Sequence, residues 1–303
     1  MGRAVGVIIN PESGRGKGGR TAPELGAELH RRGIDAALLV AGSATEALVM
    51  ARKAVADGVD AIVAAGGDGT VNLGLQAVAG TDTPLGIIPL GTGNDNARLL
   101  GIPLDDLKAA IDIIADFKVA SVDVAHLSTD SGEERWFLGV MSSGFDSCVN
   151  ERANEMTWPK GEARYLRGIL AELRTFKPVP YHVVLDGEEL NDKGMLVAVG
   201  NGESYGGGMK VCAGARIDDG LLTVTWLHRL RKLEFLTVFP RVYKGTHITH
   251  PSVTQHLARK VRLEAPNQIA YADGERVGPL PVDVEVHPNG LRVITPQGLV
   301  HAP

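Results

Sequence analysis

The chain has 303 residues, 31 Lys+Arg against 36 Asp+Glu for a formal charge of −5, and 44% hydrophobic against 22% charged residues. That balance belongs to a globular protein long enough for two domains, and it excludes fibrous, disordered and strongly basic classes; no nucleic-acid partner is expected. The two cysteines, Cys148 and Cys212, and nine histidines without paired-ligand spacing give no disulfide framework or structural zinc site.

The first residues, MGRAVGVIIN, read as a strand over Val5–Asn10, since a signal peptide needs a longer apolar core and a cleavage site. Gly6 stands where a myristoylation signal needs Ser or Thr. No apolar run approaches the ~20 residues of a membrane span, so a cytoplasmic protein is expected. Thr21 to Glu24 has capping-box spacing and opens a helix through Leu25 and Leu29 that stops at Gly33. Ile34–Val40 reads as a strand. Ser43 to Glu46 is a second capping box, leading a helix through Leu48, Ala51 and Val55 to Gly58. Asp60–Ala65 and Leu85–Pro89 read as buried strands and Leu104–Asp116 as a helix. This alternation predicts a parallel sheet with helices on both faces.

After Val119 the rhythm changes. Short strands are expected at Ser121–Leu127, Trp136–Met141, Tyr181–Asp186, Met195–Gly200, Leu222–Trp226, Lys260–Glu264, Ile269–Ala272, Val282–Val286 and Leu291–Thr295. Turn pairs such as Asp186-Gly187, Asp219-Gly220 and Asn289-Gly290 separate them, as in an antiparallel sandwich. Helices interrupt near Asn150–Phe176 and Leu233–Tyr243, where Pro240 should kink the second. The domains expected are 1–124 plus 291–303, an α/β nucleotide-binding domain, and 125–290, a β-sandwich domain.

Glycine is abundant, at 38 residues, and it clusters. The loop from Ser13 to Thr21 contains Gly14, Gly16 and Gly19 in G-x-G-x-x-G spacing, with Asp35 as a ribose ligand if it is a dinucleotide loop. It also nearly fits a Walker loop, but Arg20 replaces the required lysine. Two further loops are more specific. Gly66, Gly67, Asp68, Gly69, Thr70 and Asn72 follow one buried strand; Gly91, Thr92, Gly93, Asn94 and Asp95 follow another. Each puts glycines, a hydroxyl and a carboxylate at the carboxyl end of a parallel strand, where open α/β sheets bind ligands. Glycine lets the backbone approach phosphates, and Asp68 has the chemistry to face a divalent ion.

These two loops resemble those of the diacylglycerol kinase and sphingosine kinase catalytic-domain family, most of all the bacterial soluble lipid kinases. Asn10-Pro11 with Ser13-Gly14, the segment Ser143 to Asp146, Tyr205 to Met209 with Ala215 to Leu222, and Ala272 to Glu275 continue the resemblance in family order. The resemblance implies a fold like that of NAD kinase and diacylglycerol kinase, with the active site between the two domains. It implies transfer of the ATP γ-phosphate to a lipid hydroxyl, most readily that of diacylglycerol, giving phosphatidic acid. ATP would be held by Asn10, Gly66, Gly67, Asp68, Gly69, Thr70, Asn72, Gly91, Thr92 and Asn94. Asp68 would act through a catalytic magnesium and Glu275 as general base. A structural magnesium would sit on the Asp219 carboxylate and the carbonyls of Arg216 and Leu221. The segment Val40 to Glu46 departs from the family's Gly-Asp-Ala, which leaves the roles of Ser43 and Thr45 open.

The rivals are an NAD kinase-like ribose phosphorylation, a hydrolase built on Ser204 in Gly202 to Gly206 with Asp273 and His287, and a lipid or nucleotide sensor without turnover. His247 and His250 read as surface histidines. The window Trp226–Arg262 carries eight Lys/Arg (Arg229, Arg231, Lys232, Arg241, Lys244, Arg259, Lys260 and Arg262) against one acid, Glu234. It is either a solvated basic face or a patch for an anionic membrane surface. The apolar residues Leu233, Leu236, Phe239 and Tyr243 inside it are expected mainly in the core. The acceptor lipid and the oligomeric state are not legible.

Overall fold

The computed structural model describes residues 2–9, 23–155 and 162–296. The loop 13–21, Asn10 and the capping residue Thr21 lie outside the described residues. The chain divides into two compact units. One comprises Met1–Val124, Gly206–Gly208 and His287–Pro303; the other comprises Ala125–Tyr205 and Met209–Val286.

The first unit is a parallel α/β layer. Strands β1 (Arg3–Ile9), β2 (Ile34–Val40), β3 (Ala61–Gly66) and β4 (Leu85–Pro89) run in the order β4-β3-β1-β2, every pair parallel. A helix over 23–31, α1, follows β1 and α2 (Ala44–Ala56) follows β2. α3 (Asp68–Val78), α4 (Asp95–Leu99) and α5 (Leu107–Asp116) come after β3 and β4. Both sheet faces are covered. A Cβ on Gly74 of α3 would fall 2.7 Å from Leu85 and 3.5 Å from Ala64, while a Cβ on Gly86 of β4 would fall 2.6 Å from Ile114 of α5. Helix and sheet therefore approach closer there than any side chain allows. Ser43 caps α2, its Oγ accepting the Glu46 N–H at 3.1 Å, as the capping box predicts. α5 starts three residues later than its periodicity suggests, because Asp106 is its cap and accepts the Ala109 N–H at 2.9 Å.

The second unit is an antiparallel sandwich. Its strands are the far part of β5 (Val119–Thr129), β6 (Glu134–Phe137), β7 (Val140–Gly144), β8 (Val179–Leu185), β9 (Glu188–Gly200), β10 (Leu222–His228), β11 (Val253–Ala258), β12 (Lys260–Glu264), β13 (Ile269–Ala272), β14 (Glu275–Pro279) and the start of β15 (Val282–Ile294). β9 serves both layers. Glu188 to Gly194 pair with β8, and Leu196 to Gly200 pair with β7 and β10. Trp226, Phe137, Val183, Val197, Leu263 and Val284 fill the core between the layers. Helices α6 (Phe145–Glu155), α7 (Glu162–Thr175) and α8 (Lys232–Val238) complete the unit, with 3-10 turns at Phe239–Lys244 and Thr246–Thr249. Cys148 on α6 is half-buried and Cys212 is buried; both are free. Burial pushes the first thiol up to about 11 and the second up to about 12.

The α/β unit followed by a β-sandwich is the architecture expected. Three local expectations need correction. Asn289-Gly290 is not a turn between two strands: β15 runs unbroken from Val282 to Ile294. Asn289 takes a φ of 56° inside it and donates its N–H to Asp123 Oδ1 at 2.9 Å, so the left-handed residue is absorbed within the strand. Trp136–Met141 is not one strand but the end of β6 and the start of β7, because the N–H groups of Leu138, Gly139 and Val140 all turn onto the Asp273 carboxylate. Leu233, Leu236 and Tyr243 are not core but exposed, and Phe235 and Val238 are buried in their place.

Candidate active site

The glycine loops meet at the carboxyl ends of β3 and β4. α3 begins at once after β3, so Asp68 occupies its first turn, with Gly67 as the extended cap. Gly67 and Gly91 touch backbone to backbone: a Cβ on Gly91 would lie 2.5 Å from the Gly67 Cα. A Cβ on Gly66 would lie 2.2 Å from Thr70 Oγ1, so the buried Thr70 hydroxyl packs where a side chain would stand. Leu90 donates its N–H to the Gly66 carbonyl at 2.9 Å, which ties the loops together.

The second loop is held by Asn94, whose φ is 53°. Its side chain accepts the Gly91 N–H at 3.1 Å and donates to the Gly91 carbonyl at 2.9 Å. Asp68 is wedged against this loop. Its Oδ1 accepts the Asn96 N–H at 3.2 Å, and a Cβ on Gly93 would sit 2.8 Å from Oδ2. Burial raises the Asp68 pKa and the neighbouring Asp95 raises it further, against the lowering pull of the Asn96 N–H. Asn72 is buried and its Nδ2 has no partner among the described residues. Thr92 and Gly69 are exposed. Ser43 is spent as the α2 cap, and Asn10 lies outside the described residues.

Asp95, whose role the sequence does not reveal, accepts the N–H groups of Gly207 and Gly208, both at 2.8 Å. Gly206, Gly207 and Gly208 have φ of 62°, 81° and 95°, a left-handed run that only glycine adopts without strain. That run also removes the hydrolase reading, because a nucleophile elbow must pass straight into a helix and this segment turns instead. The Asp273 carboxylate, the second member of that set, is consumed by three backbone donors at 2.9, 3.0 and 3.1 Å.

Glu275 lies in the second unit and is exposed at the start of β14. Asp273 and Gly274, with φ of 48° and 81°, form the two-residue turn that pairs Ala272 with Glu275. Asp273 thus fixes the turn that carries Glu275 to the backbone of residues 138–140. Asp219, also in the second unit, is exposed and accepts the Leu221 N–H at 3.0 Å, while Arg216 pairs with Asp218 at 3.1 Å. Among the described residues no cluster of three or more His, Cys, Asp or Glu gathers around one point.

Residues 4–127 match the model of the diacylglycerol kinase catalytic domain, and residues 139–295 match that of the YegS C-terminal NAD kinase beta sandwich-like domain. A curated diacylglycerol kinase of Mycobacterium tuberculosis (strain CDC 1551 / Oshkosh) is 42% identical over 97% of this chain and 95% of that protein. This chain belongs to the diacylglycerol kinase family. A diacylglycerol kinase of Staphylococcus haemolyticus is 28% identical over 99% of this chain and 90% of that protein. In fold alone, the chain is similar to a diacylglycerol kinase crystal structure from Bacillus anthracis str. Sterne, with a TM-score of 0.72 at 22% identity over 98% of each chain. It is also similar to an NAD kinase from Archaeoglobus fulgidus solved with ATP, with a TM-score of 0.56 at 14% identity over 97% of this chain and 93% of that one.

Membership of the diacylglycerol kinase family makes this a lipid kinase, and the second unit holds a feature that suits one. An apolar cavity is lined by Phe145, Leu196, Met209, Leu227, Phe235 and Val238. One charged residue, Asp146, reaches it and is only 5% exposed. Its Oδ2 accepts from the hydroxyls of Ser142 at 2.5 Å and Tyr205 at 2.7 Å, and Oδ1 has no partner among the described residues. Burial pushes its pKa up, against the lowering effect of both hydroxyls. His247, expected on the surface, is buried at the same cavity with Nε2 3.0 Å from the Val211 carbonyl; burial lowers its pKa. No periodic signal marks Asp146 or His247, since Tyr205 and Val211, which they meet, are distant in sequence.

Proposed function

We propose that the chain transfers the γ-phosphate of ATP to the free hydroxyl of diacylglycerol, giving phosphatidic acid and ADP. The observation that carries the reading is the Asp68 carboxylate, wedged between two touching glycine loops at the start of α3. Backbone amides at a helix start, with nothing larger than glycine in front of them, form a cradle for phosphates. Gly66, Gly67, Gly69, Gly91, Thr70, Asn72, Thr92 and Asn94, with Asn10, are the residues assigned to ATP. Magnesium fits this donor set, because it takes one or two carboxylates plus phosphates, and a bound cation would oppose the effect of burial and of Asp95 on the Asp68 carboxylate. Asp68 would hold it, and its charge would offset that of the phosphates being transferred.

The remaining work falls to side chains. The acceptor oxygen bonds to the γ-phosphorus while the bond from that phosphorus to the β,γ-bridging oxygen breaks, and ADP leaves with the electron pair. Glu275 accepts the hydroxyl proton late in the transfer and returns it to solvent. The acyl chains are assigned to the apolar cavity of the second unit. A second magnesium on Asp219 and the carbonyls of Arg216 and Leu221 belongs to the same proposal. It predicts a magnesium-dependent rise in melting temperature, without ATP, that Asp219→Ala abolishes.

Labelled-ATP transfer to dioleoylglycerol in mixed micelles tests the reading. Asp68→Asn and Glu275→Gln should each lower kcat by about 10²–10⁴. Glu188→Gln, in the other Asp-Gly-Glu turn, should leave it unchanged. Transfer to NAD in place of the lipid, or full activity in both active-site variants, would refute the proposal.

A further inference from the structure

The outer surface of α8 and the 3-10 turns after it carries large apolar side chains that no described residue covers. Phe235 and Val238, three residues apart, point into the unit, while Leu233 is 80% and Leu236 47% exposed on the other side of the helix. Tyr243 is 52% and Ile248 36% exposed further along. Single exposed leucines are ordinary, but these four belong to one folded-back segment. His250 Nε2 stands 3.4 Å from Glu234 Oε1, which returns the end of the segment to its start. The ring of Phe239 stacks on Phe235 at 5.7 Å, and Tyr243 meets it edge-on at 6.4 Å.

The segment from Arg229 to Lys244 is rich in basic side chains. Arg229, Arg231, Arg241 and Lys244 are exposed and make no ion pair among the described residues. The single acid, Glu234, is engaged with His250 and with the Arg231 N–H. Elsewhere in the basic window Lys260 pairs with Glu285, and Arg262 with Asp130, Glu264 and Asp283, while Arg259 is exposed. Uncompensated positive charge therefore surrounds the exposed leucines. The inner side of the same segment, through Phe235, Val238, Phe239 and Val242, walls the apolar cavity.

From these observations we propose that α8 and the turns to Ile248 dock on an anionic lipid bilayer, with Leu233, Leu236, Tyr243 and Ile248 entering the headgroup boundary and Arg229, Arg231, Arg241 and Lys244 meeting the lipid phosphates. A second copy of the chain would bring like charges together, whereas an anionic bilayer matches both the charge and the apolar surface. The proposal rests on the lipid-kinase reading for its purpose: a single helix would then separate bilayer hydrocarbon from the cavity assigned to the acyl chains.

The test is sedimentation of the full-length protein with vesicles of phosphatidylglycerol and phosphatidylcholine in equal parts, beside vesicles of phosphatidylcholine alone. Two double variants are compared, Leu233→Gln with Leu236→Gln and Arg241→Glu with Lys244→Glu, with melting temperatures confirming the fold. Each should weaken binding to the anionic vesicles by more than about tenfold. Transfer to long-chain diacylglycerol in those vesicles should fall in parallel, while transfer to dissolved dioctanoylglycerol should stay unchanged. Wild-type binding by both variants, or a wild-type protein left in the supernatant, would overturn the proposal. So would self-association abolished by the same substitutions without vesicle binding, which would give the face to a second copy. Vesicle binding without transfer to any lipid would remove the kinase reading and leave the docking intact.

Discussion

Asp68 and Asp146 are both carboxyl groups that burial pushes above the ordinary range, but they have different surroundings. Asp68 leans on a backbone N–H beside another acid; Asp146 is held by two hydroxyls at an apolar cavity. The raised Asp146 pKa has a consequence for stability. The folded state binds this proton more tightly than the unfolded chain. Stability is thus highest below the ordinary carboxyl pKa and falls as pH rises from there through the raised value. Asp146→Asn keeps an acceptor for Ser142 and Tyr205 and removes the titration. Its melting temperature should exceed that of the parent at about pH 7 to 8 and converge with it near about pH 4, as a pH series of thermal melts would show. Asp273 makes a second case. The triplet Asp-Gly-Glu occurs twice, at 186–188 and 273–275, in the same left-handed two-residue turn. Asp186 accepts the N–H groups of Arg259 and Lys260, as Asp273 accepts those of 138–140. Neither triplet announces which glutamate does chemistry. Asp273→Ala leaves three backbone donors without their acceptor and should cost about 1–3 kcal/mol of stability, measured by denaturant unfolding. It should also lower kcat without changing the KM for ATP, because it moves the turn that carries Glu275.

At the scale of elements, legibility follows how local the cause is. The capping box at Ser43 to Glu46 predicts α2 because cap and helix are neighbours in sequence, and the Asp-Gly turns predict hairpins for the same reason. The glycine loops are legible as a pair because each follows its own buried strand. Their contact is not, since nothing in the sequence says that Gly67 and Gly91 touch. Gly91→Ala should push the loops apart, with an overpacking cost of about 1–3 kcal/mol and a loss of ATP affinity of at least about tenfold, read by calorimetric titration. β15 shows the reverse. Its Asn-Gly pair is a strong local turn signal, and it is overruled by Asp123, 166 positions away in sequence. α8 reads as core from its spacing, yet only Phe235 and Val238 of its apolar residues are buried, because periodicity marks an apolar stripe without saying which side of it the fold covers.

Across the whole molecule, the α/β unit is assembled from three stretches of chain. The 287–294 part of β15 buries Leu291, Val293 and Ile294 in that unit, with Val293 beside Leu85 of β4. A fragment ending near residue 127, the limit of the catalytic-domain match, lacks that strand and the Gly206–Gly208 turn held by Asp95. Such a fragment is expected to unfold without cooperativity, which a thermal melt followed by circular dichroism would reveal. Sequence reasoning reaches the fold class and the order of the loops because those follow from runs of neighbouring residues. It does not reach the cavity around Asp146 or the cover of α8, which depend on strands that meet only in the folded chain.

The two thiols have a practical consequence. With Cys148 pushed up to about 11 and Cys212 to about 12, almost no thiolate is present at neutral pH. Maleimide labelling should therefore pass over the native chain, and a cysteine introduced at an exposed position such as Leu233 would carry a fluorophore alone. Labelling of such a variant, compared with the parent chain by mass spectrometry, should show one added group and none on the parent.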